Sequence, residues 1–144
     1  MVTSYLRQER DPMFCVMGDP VRVGLGMLWR ISEGREVFSL VYNDEIMAVI
    51  CVAFVSVVPT ELVDVEGTYE NPTIAVPYTV WSLKRGFGRS IVFDTIGHIK
   101  ATRPEIVRVV TLSPKTETAF RFHTGNGARQ ISRNAESDNY EYTL

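Results

Sequence analysis

The sequence predicts a single mixed α/β (α+β) domain in which helices and strands are interspersed. Three patterns favour this class: residues 37–58 have the composition of a β-hairpin, residues 73–112 follow the order strand, glycine-containing loop, helix and strand, and residues 140–144 alternate as a last strand does. Hydrophobic residues make up 45% of the 144-residue chain, which is enough apolar surface for one core but not for two. We therefore expect one domain over residues 1–144.

The first half of the chain predicts a short helix followed by a hairpin. Residues 21–32 carry apolar side chains at helical spacing. Residues 37–42 are mainly apolar, residues 43–45 (Asn-Asp-Glu) supply a turn, and residues 46–58 are rich in β-branched side chains, which predicts an antiparallel hairpin with a central second strand. The acidic residues 61–71 are typical of either a short strand or a loop.

The second half predicts two further strands and two helices. Residues 73–81 read as a strand with a bulge at Pro77, because proline cannot donate to a strand ladder. Ser90 is placed to cap the helix that follows. Residues 106–112 predict a buried strand, and Ser113 followed by proline predicts the start of the last helix.

Charge and composition disfavour several function classes. Fifteen Lys and Arg against seventeen Asp and Glu give a formal net charge of -2, so nucleic acid is the weakest class of partner. The apolar run 46–58 is shorter than the roughly 18 residues of a membrane span. The two cysteines, Cys15 and Cys51, have no metal or redox spacing, and the N-terminus has no signal-peptide pattern. These features indicate free thiols, no metal site and a cytoplasmic protein.

The densest basic cluster lies between the strand 73–81 and the following helix, in a basic loop formed by residues 84–89 (Lys-Arg-Gly-Phe-Gly-Arg). Backbone N–H groups at the start of a helix are unpaired and carry a positive dipole end, so such a loop suits an anion. The simpler alternative is a solvated turn. Ile91 stands where a dinucleotide-binding fingerprint needs a third glycine, and the P-loop spacing is absent, so neither of those sites is favoured.

Two motifs in this half resemble those of the GCN5-related N-acetyltransferase (GNAT) family. Residues 83–88 (Leu-Lys-Arg-Gly-Phe-Gly) are similar to its loop motif Arg/Gln-x-x-Gly-x-Gly/Ala. Residues 116–128 are in register with its helix motif Asn-x-x-Ala-x-x-x-Tyr-x-x-x-Gly-Phe. Four positions depart from the family, which has Arg or Gln, Asn, Tyr and Phe where this chain has Leu83, Thr116, His123 and Ala128.

The resemblance implies a GNAT-like mixed, mostly antiparallel central sheet flanked by helices, with two splayed parallel strands at residues 73–81 and 106–112. The pantetheine arm of acetyl-CoA would insert between those strands, and its pyrophosphate would lie on the basic loop. The cofactor-binding residues that the resemblance implies are Val80, Trp81, Lys84, Arg85, Gly86, Phe87, Gly88, Arg89, Ser90 and Thr116.

The activity that the resemblance implies is transfer of an acetyl group from acetyl-CoA to an amine by direct attack. His123, at the family's tyrosine position, would give a proton to the departing thiolate, since histidine titrates near neutrality. The general base would come from the acidic stretch, with Glu70 as the candidate beside Asp64 and Glu66. The alternatives are that His123 only packs against its neighbours and that the acidic residues are merely solvated.

A narrower resemblance points to a second reading. Residues 111–117 and 139–142 are similar to small GNAT-related proteins of tailed bacteriophages. This implies an alternative in which the chain is a catalytically inactive phage protein, acting as a virion or ejection component or as a protein-binding module. Its partners would then be a second copy of the chain or other virion proteins, rather than an amine acceptor, and it would lie in the host cytoplasm or in the virion.

Overall fold

The computed structural model describes residues 3–11 and 26–144 and contains one seven-stranded sheet with four helices among those residues. The strand order is β1-β2-β3-β4-β5-β7-β6, and every neighbouring pair is antiparallel except β4 and β5, so the expected mixed, mostly antiparallel sheet is confirmed. The elements are β1 (Tyr5–Glu9), α1 (Met27–Arg30), β2 (Arg35–Tyr42), β3 (Glu45–Val55), α2 (Val63–Glu66), β4 (Ile74–Ser82), α3 (Phe87–Thr102), β5 (Arg108–Val110), α4 (Glu117–Gly125), β6 (Arg129–Arg133) and β7 (Asp138–Tyr142).

The predicted hairpin is formed by β2 and β3. Asn43 and Asp44 turn the chain with φ of 53° and 61°, as a two-residue type I′ turn requires. Beyond its first two residues β3 is buried on both faces, because alternate side chains enter two different clusters. This double burial explains why its sequence is a continuous apolar run rather than an alternating one.

Helices cover both faces of the sheet. On one face α3 packs its buried side chains, which include Ile91 and Ile96, against β2, β3 and β4. On the other face α1 and α2 contribute Met27 and Val65. Since α2 is a single helical turn within residues 61–71, the strand alternative for that stretch is wrong.

Parts of two expectations fall outside the described residues. The predicted helix 21–32 can be compared only from residue 26 onward, where α1 occupies a single turn. Cys15 also lies outside them, whereas Cys51 is a buried free cysteine in the middle of β3. Within the described ranges no helix has the length and apolar character needed to cross a bilayer.

The predicted bulge in β4 is confirmed. Thr79 lies opposite Cys51 and Pro77 opposite Val52, which leaves Tyr78 as the extra residue. The Pro77 carbonyl accepts a hydrogen bond of 3.1 Å from the Leu112 N–H. Because the pairing with β3 is already interrupted at this bulge, the missing N–H of Pro77 does not remove a hydrogen bond from the strand ladder.

Both predicted helix caps are wrong. Gly86, with φ of 94°, occupies the N-cap of α3, and Ser90 lies inside the helix with its N–H bonded to the Gly86 carbonyl at 3.1 Å. Thr116 caps α4 by accepting a 3.1 Å hydrogen bond from the Ala119 N–H, whereas Ser113 pairs with β7 in an isolated bridge. The N-cap of α3 thus lies four residues before Ser90, and the N-cap of α4 lies three residues after Ser113.

Candidate functional site

The parallel strands β4 and β5 separate soon after they pair. Their register includes only Ile74 with Arg108 and Ala75 with Val109. Past the Leu112 to Pro77 hydrogen bond the strands diverge, and α4 closes one side of the gap. The resulting space, called here the wedge cavity, has a volume of about 470 Å³ and is lined by Pro77, Tyr78, Thr79, Val80, Trp81, Ser82, Gly88, Leu112, Ser113, Pro114, Thr116, Thr118, Ala119, Phe122 and His123.

Backbone donors of β4 face the wedge cavity. The Leu83 N–H donates to the Met47 carbonyl on β3 at 2.9 Å. Because backbone groups alternate between the two sides of a strand, the amides of Thr79 and Trp81 also point toward β3. The amides of Val80 and Ser82 therefore point to the opposite side, where β5 has already separated from β4.

The start of α3 forms the mouth of the wedge cavity. Gly86 adopts a positive φ, which glycine tolerates and most L residues do not. A Cβ at Gly88 would lie 3.1 Å from Cε1 of Phe122, so a side chain there would require the Phe122 ring on α4 to shift slightly. No side chain caps α3, and among the described residues no acceptor pairs with the amides of Gly88 and Arg89. These two amides are thus available to an anion.

Exposed cations surround this mouth. Lys84, Arg85 and Arg89 are all exposed, and Arg89 donates at 3.3 Å to both the Gly125 carbonyl and Oδ1 of Asn126. Ser90 is also exposed on the first turns of α3, and Phe87 is partly buried against the core. The basic loop thus presents positive charge and free backbone donors on one side of the wedge cavity.

His123 is buried at the inner wall of the wedge cavity, with 6% of its surface exposed. Its Nδ1 lies 2.7 Å from the Tyr142 hydroxyl, and its ring stacks on Tyr140 at a centroid distance of 5.0 Å. Burial lowers the pKa of His123 from 6.5 to about 4. The expectation that this residue titrates near neutrality is therefore wrong, and the ring is neutral at pH 7.

The lowered pKa of His123 links stability to pH. Between pH 4 and 6.5 the unfolded state binds a proton at this position and the folded state does not, so the free energy of unfolding rises with pH through this window. The free energy of unfolding reaches its full value above pH 6.5. As pH falls toward 4, protonation of the unfolded state at this position lowers it by an amount on the order of 3 kcal/mol. Denaturant titrations at half-unit pH intervals will measure this slope. In His123→Phe the free energy of unfolding should change with pH by that much less. If the wild type and His123→Phe showed the same pH dependence, the lowered pKa of His123 would be contradicted.

The acidic candidates lie apart from His123. Glu70 is exposed and precedes β4, whereas the wedge cavity adjoins its C-terminal half, roughly 20 Å further along the strand. The Asp64 carboxylate accepts from the Thr60 and Glu61 amides, which lowers its pKa and holds the turn before α2. Glu66 is exposed on the same turn. The structure does not bring any of these carboxylates to the cavity lining.

Four of the remaining predicted residues line the cavity. The sequence did not predict several other residues that line it or contact His123. Val80, Trp81, Gly88 and Thr116 line the cavity, whereas the other predicted residues of the basic loop and Ser90 neighbour Gly88 along the chain and are not part of the lining. Patterns along the sequence did not identify Phe122, Ser82, Asn126 or Tyr142 as residues of the site. The last two meet His123 only because β7 packs beneath α4, a relation that no local motif encodes.

Solved structures share this fold at low sequence identity. A malonyl-CoA decarboxylase from Agrobacterium vitis superposes with a TM-score of 0.81 at 17% identity over 98% of this chain, which spans 60% of the decarboxylase chain. A putative acetyltransferase of the GNAT family from Desulfovibrio desulfuricans superposes with a TM-score of 0.64 at 12% identity, over 98% of this chain and 99% of that one. The chain has the GNAT fold. No protein-family model and no curated protein matches its sequence.

A third GNAT-fold neighbour is informative because of its ligand. The PaiA N-acetyltransferase from Thermoplasma acidophilum, in complex with coenzyme A, superposes with a TM-score of 0.56 at 9% identity over 77% of this chain and 62% of that chain. The GNAT fold thus accommodates coenzyme A in that protein. At these identities the comparisons establish the fold, and the chemistry has to be argued from the residues of this chain.

Proposed function

We propose that this chain binds an acyl-CoA in the wedge cavity and transfers its acyl group to an amine. One observation carries the proposal: a cavity between two diverging strands reaches Gly88 at an uncapped helix N-terminus, where the neighbouring residues Lys84, Arg85 and Arg89 are exposed cations. In an acyl-CoA the acyl group and the narrow pantetheine arm are attached to a pyrophosphate, so the arm would enter the cavity while the pyrophosphate lies at the helix N-terminus. The coenzyme A complex of a GNAT-fold neighbour supports the assignment.

The residues present fit such a ligand. The amides of Gly88 and Arg89 together with Lys84 and Arg85 would hold the pyrophosphate. One cavity residue, Trp81, carries a buried side-chain donor, the Nε1–H, that has no hydrogen-bond partner among the described residues. A ligand with oxygen acceptors along its arm would satisfy donors of this kind.

The chain supplies two further groups for the reaction. The bound acyl-CoA contributes an activated thioester carbonyl. The Val80 amide, which points away from β3, would donate to that carbonyl oxygen as negative charge develops. A C–N bond forms, the C–S bond breaks, the sulfur leaves with the electron pair, and the amine nitrogen loses one proton. His123, neutral at pH 7, would donate a hydrogen bond to the sulfur.

A second candidate is decarboxylation of malonyl-CoA. It is favoured by a specific observation: the described cavity lining contains no carboxylate that could deprotonate an amine. Decarboxylation needs no such base, because the C–C bond to the carboxylate breaks, CO₂ leaves, and the electron pair moves toward the thioester oxygen before the α-carbon takes a proton. The superposition on a malonyl-CoA decarboxylase agrees with this candidate. The Val80 amide would have the same role in both reactions.

Calorimetric titration with CoA, acetyl-CoA and malonyl-CoA tests the binding step. We expect saturable micromolar binding, and a stabilisation of about 2.7 kcal/mol when the ligand is a hundredfold above its Kd. Thiol release that depends on an added amine would then identify transfer, and CO₂ release from malonyl-CoA would identify decarboxylation. Absence of binding at millimolar ligand would overturn the proposal and leave the alternative of an inactive binding module. The phage origin, homodimer and cytoplasmic location remain predictions under either outcome.

A further inference from the structure

We propose that Tyr142 is a positioning residue that holds His123 in the tautomer protonated on Nε2 and directs this N–H into the wedge cavity. The inference deepens the proposed function and relies on it only for its kinetic consequence. It rests on a chain of hydrogen bonds that begins at the basic loop and ends at the imidazole ring.

The first two hydrogen bonds of this series determine which atoms donate and which accept in the remaining one. Arg89 donates to Oδ1 of Asn126 at 3.3 Å, and a guanidinium can only donate. The amide of Asn126 is thereby oriented with its oxygen toward Arg89 and its nitrogen toward β7. Nδ2 of Asn126 donates to the Tyr142 hydroxyl oxygen at 3.2 Å. The hydroxyl thus accepts from Asn126, and its single proton is available for another partner.

That partner is Nδ1 of His123, 2.7 Å away. If Nδ1 carried a proton, the hydroxyl of Tyr142 would receive two donors, and its own proton would have no acceptor inside a side chain that is only 4% exposed. An unpaired buried donor costs about 1–3 kcal/mol. The arrangement with every donor paired places the proton of Tyr142 on Nδ1 and the imidazole proton on Nε2.

The other nitrogen faces the wedge cavity. His123 lines the cavity, and among the described residues none forms a hydrogen bond with its Nε2. The rings of Phe122, Tyr140 and Tyr142 pack around the imidazole, and burial alone lowers the pKa of His123, with no contribution from a carboxylate or cation of the described chain. The Nε2–H is therefore a fixed, neutral donor at the inner wall of the cavity.

This geometry favours hydrogen bonding over proton release. To protonate a thiolate through His123, Tyr142 would have to become a phenolate, yet burial raises the pKa of Tyr142 to about 12. An ordinary thiol has a pKa of about 8.5, so the net transfer would be strongly uphill. His123 thus stabilises the departing sulfur through its N–H and keeps the proton. The proton on the product nitrogen leaves to solvent.

Nitrogen-15 NMR of the histidine rings tests the tautomer in the full chain without any ligand. The chain contains two histidines, and His98→Gln assigns the signals. We expect wild-type His123 to show a protonated Nε2 and a bare Nδ1 from pH 5.5 to 8. Tyr142→Phe should give a mixture of tautomers and lower kcat roughly tenfold, with KM for the acyl-CoA within about twofold. A protonated Nδ1 in the wild type, or an unchanged tautomer in Tyr142→Phe, would overturn the inference.

Tyr140→Phe is the matched control. Tyr140 stacks on the same imidazole, but within residues 3–11 and 26–144 its hydroxyl has no hydrogen-bond partner, so its removal should leave the tautomer and kcat unchanged. Asn126→Ala removes a partly exposed member of the hydrogen-bonded series and should shift the tautomer of His123 in the same direction as Tyr142→Phe. It therefore provides a test even if Tyr142→Phe proves too unstable to study. Because the NMR result needs no CoA, failure of CoA to bind would refute the proposed function alone. Bound CoA with an unchanged kcat in Tyr142→Phe would refute the positioning role alone.

Discussion

Gly86→Asp should lower the affinity for CoA by about a hundredfold or more. The new carboxylate would lie at the N-cap of α3, beside the amides of Gly88 and Arg89 that are proposed to hold the pyrophosphate. Two like charges about 4 Å apart near a protein surface repel by about 4 kcal/mol. Titration calorimetry with CoA, at constant ionic strength, measures the loss directly.

Gly86→Asn separates charge from backbone strain. Asn and Asp have nearly the same shape and tolerate a positive φ to a similar degree, and a Cβ at position 86 meets no atom within 4 Å. We expect Gly86→Asn to keep CoA affinity within about tenfold of the wild type, and both variants to have similar melting temperatures. Equal affinity in the Asp and Asn variants would show that no phosphate lies at this helix terminus.

His123→Phe should lower the turnover of acyl-CoA by about a hundredfold while changing CoA affinity only a few-fold. The phenyl ring can keep the stack on Tyr140, but the donor at the inner wall of the wedge cavity is lost. Removal of one preorganised donor from an active site costs about 10²–10³ in kcat. Release of free thiol, followed with a panel of amines and with malonyl-CoA, provides the rate.

The double variant His123→Phe with Tyr142→Phe controls for a stability effect. His123→Phe alone leaves the buried Tyr142 hydroxyl without its acceptor, which costs about 1–3 kcal/mol, and removal of both partners should restore most of that loss. Turnover should stay low in the double variant, because Nε2 is still missing. Recovery of turnover together with stability would mean that His123 serves only in packing.

The elements that the sequence predicted well are those with strong local signals. The hairpin of β2 and β3 follows from an apolar run before Asn43 and Asp44 and a β-branched run after them, and the bulge in β4 follows from Pro77. In contrast, β6 escaped prediction because its sequence, Arg-Gln-Ile-Ser-Arg, has neither clear alternation nor an apolar run. Its strand conformation depends on pairing with β7 at the edge of the sheet.

The candidate site was predicted in part for the same reason. The basic loop and His123 lie in contiguous motifs, so their positions could be anticipated from the sequence. Glu70 was chosen only for its charge, and strand direction places it at the far end of β4. Tyr142 was noted as a strand residue, but its contact with His123 depends on how α4 crosses β7. Relations between distant segments of this kind are set by packing rather than by local spacing.

The brief pairing of β4 with β5 has a mechanical consequence. The sheet consists of two leaves, one of β1 to β4 and one of β5, β7 and β6, which pair along a short seam at Ile74 and Ala75. Beyond that seam the leaves are joined by single hydrogen bonds, such as the one from the Leu112 N–H to the Pro77 carbonyl. A small rotation about that seam changes the width of the gap without breaking the ladders inside either leaf. We therefore expect the width of the wedge cavity to vary more easily than the ladders inside either leaf, and a ligand that contacts both leaves to reduce that variation.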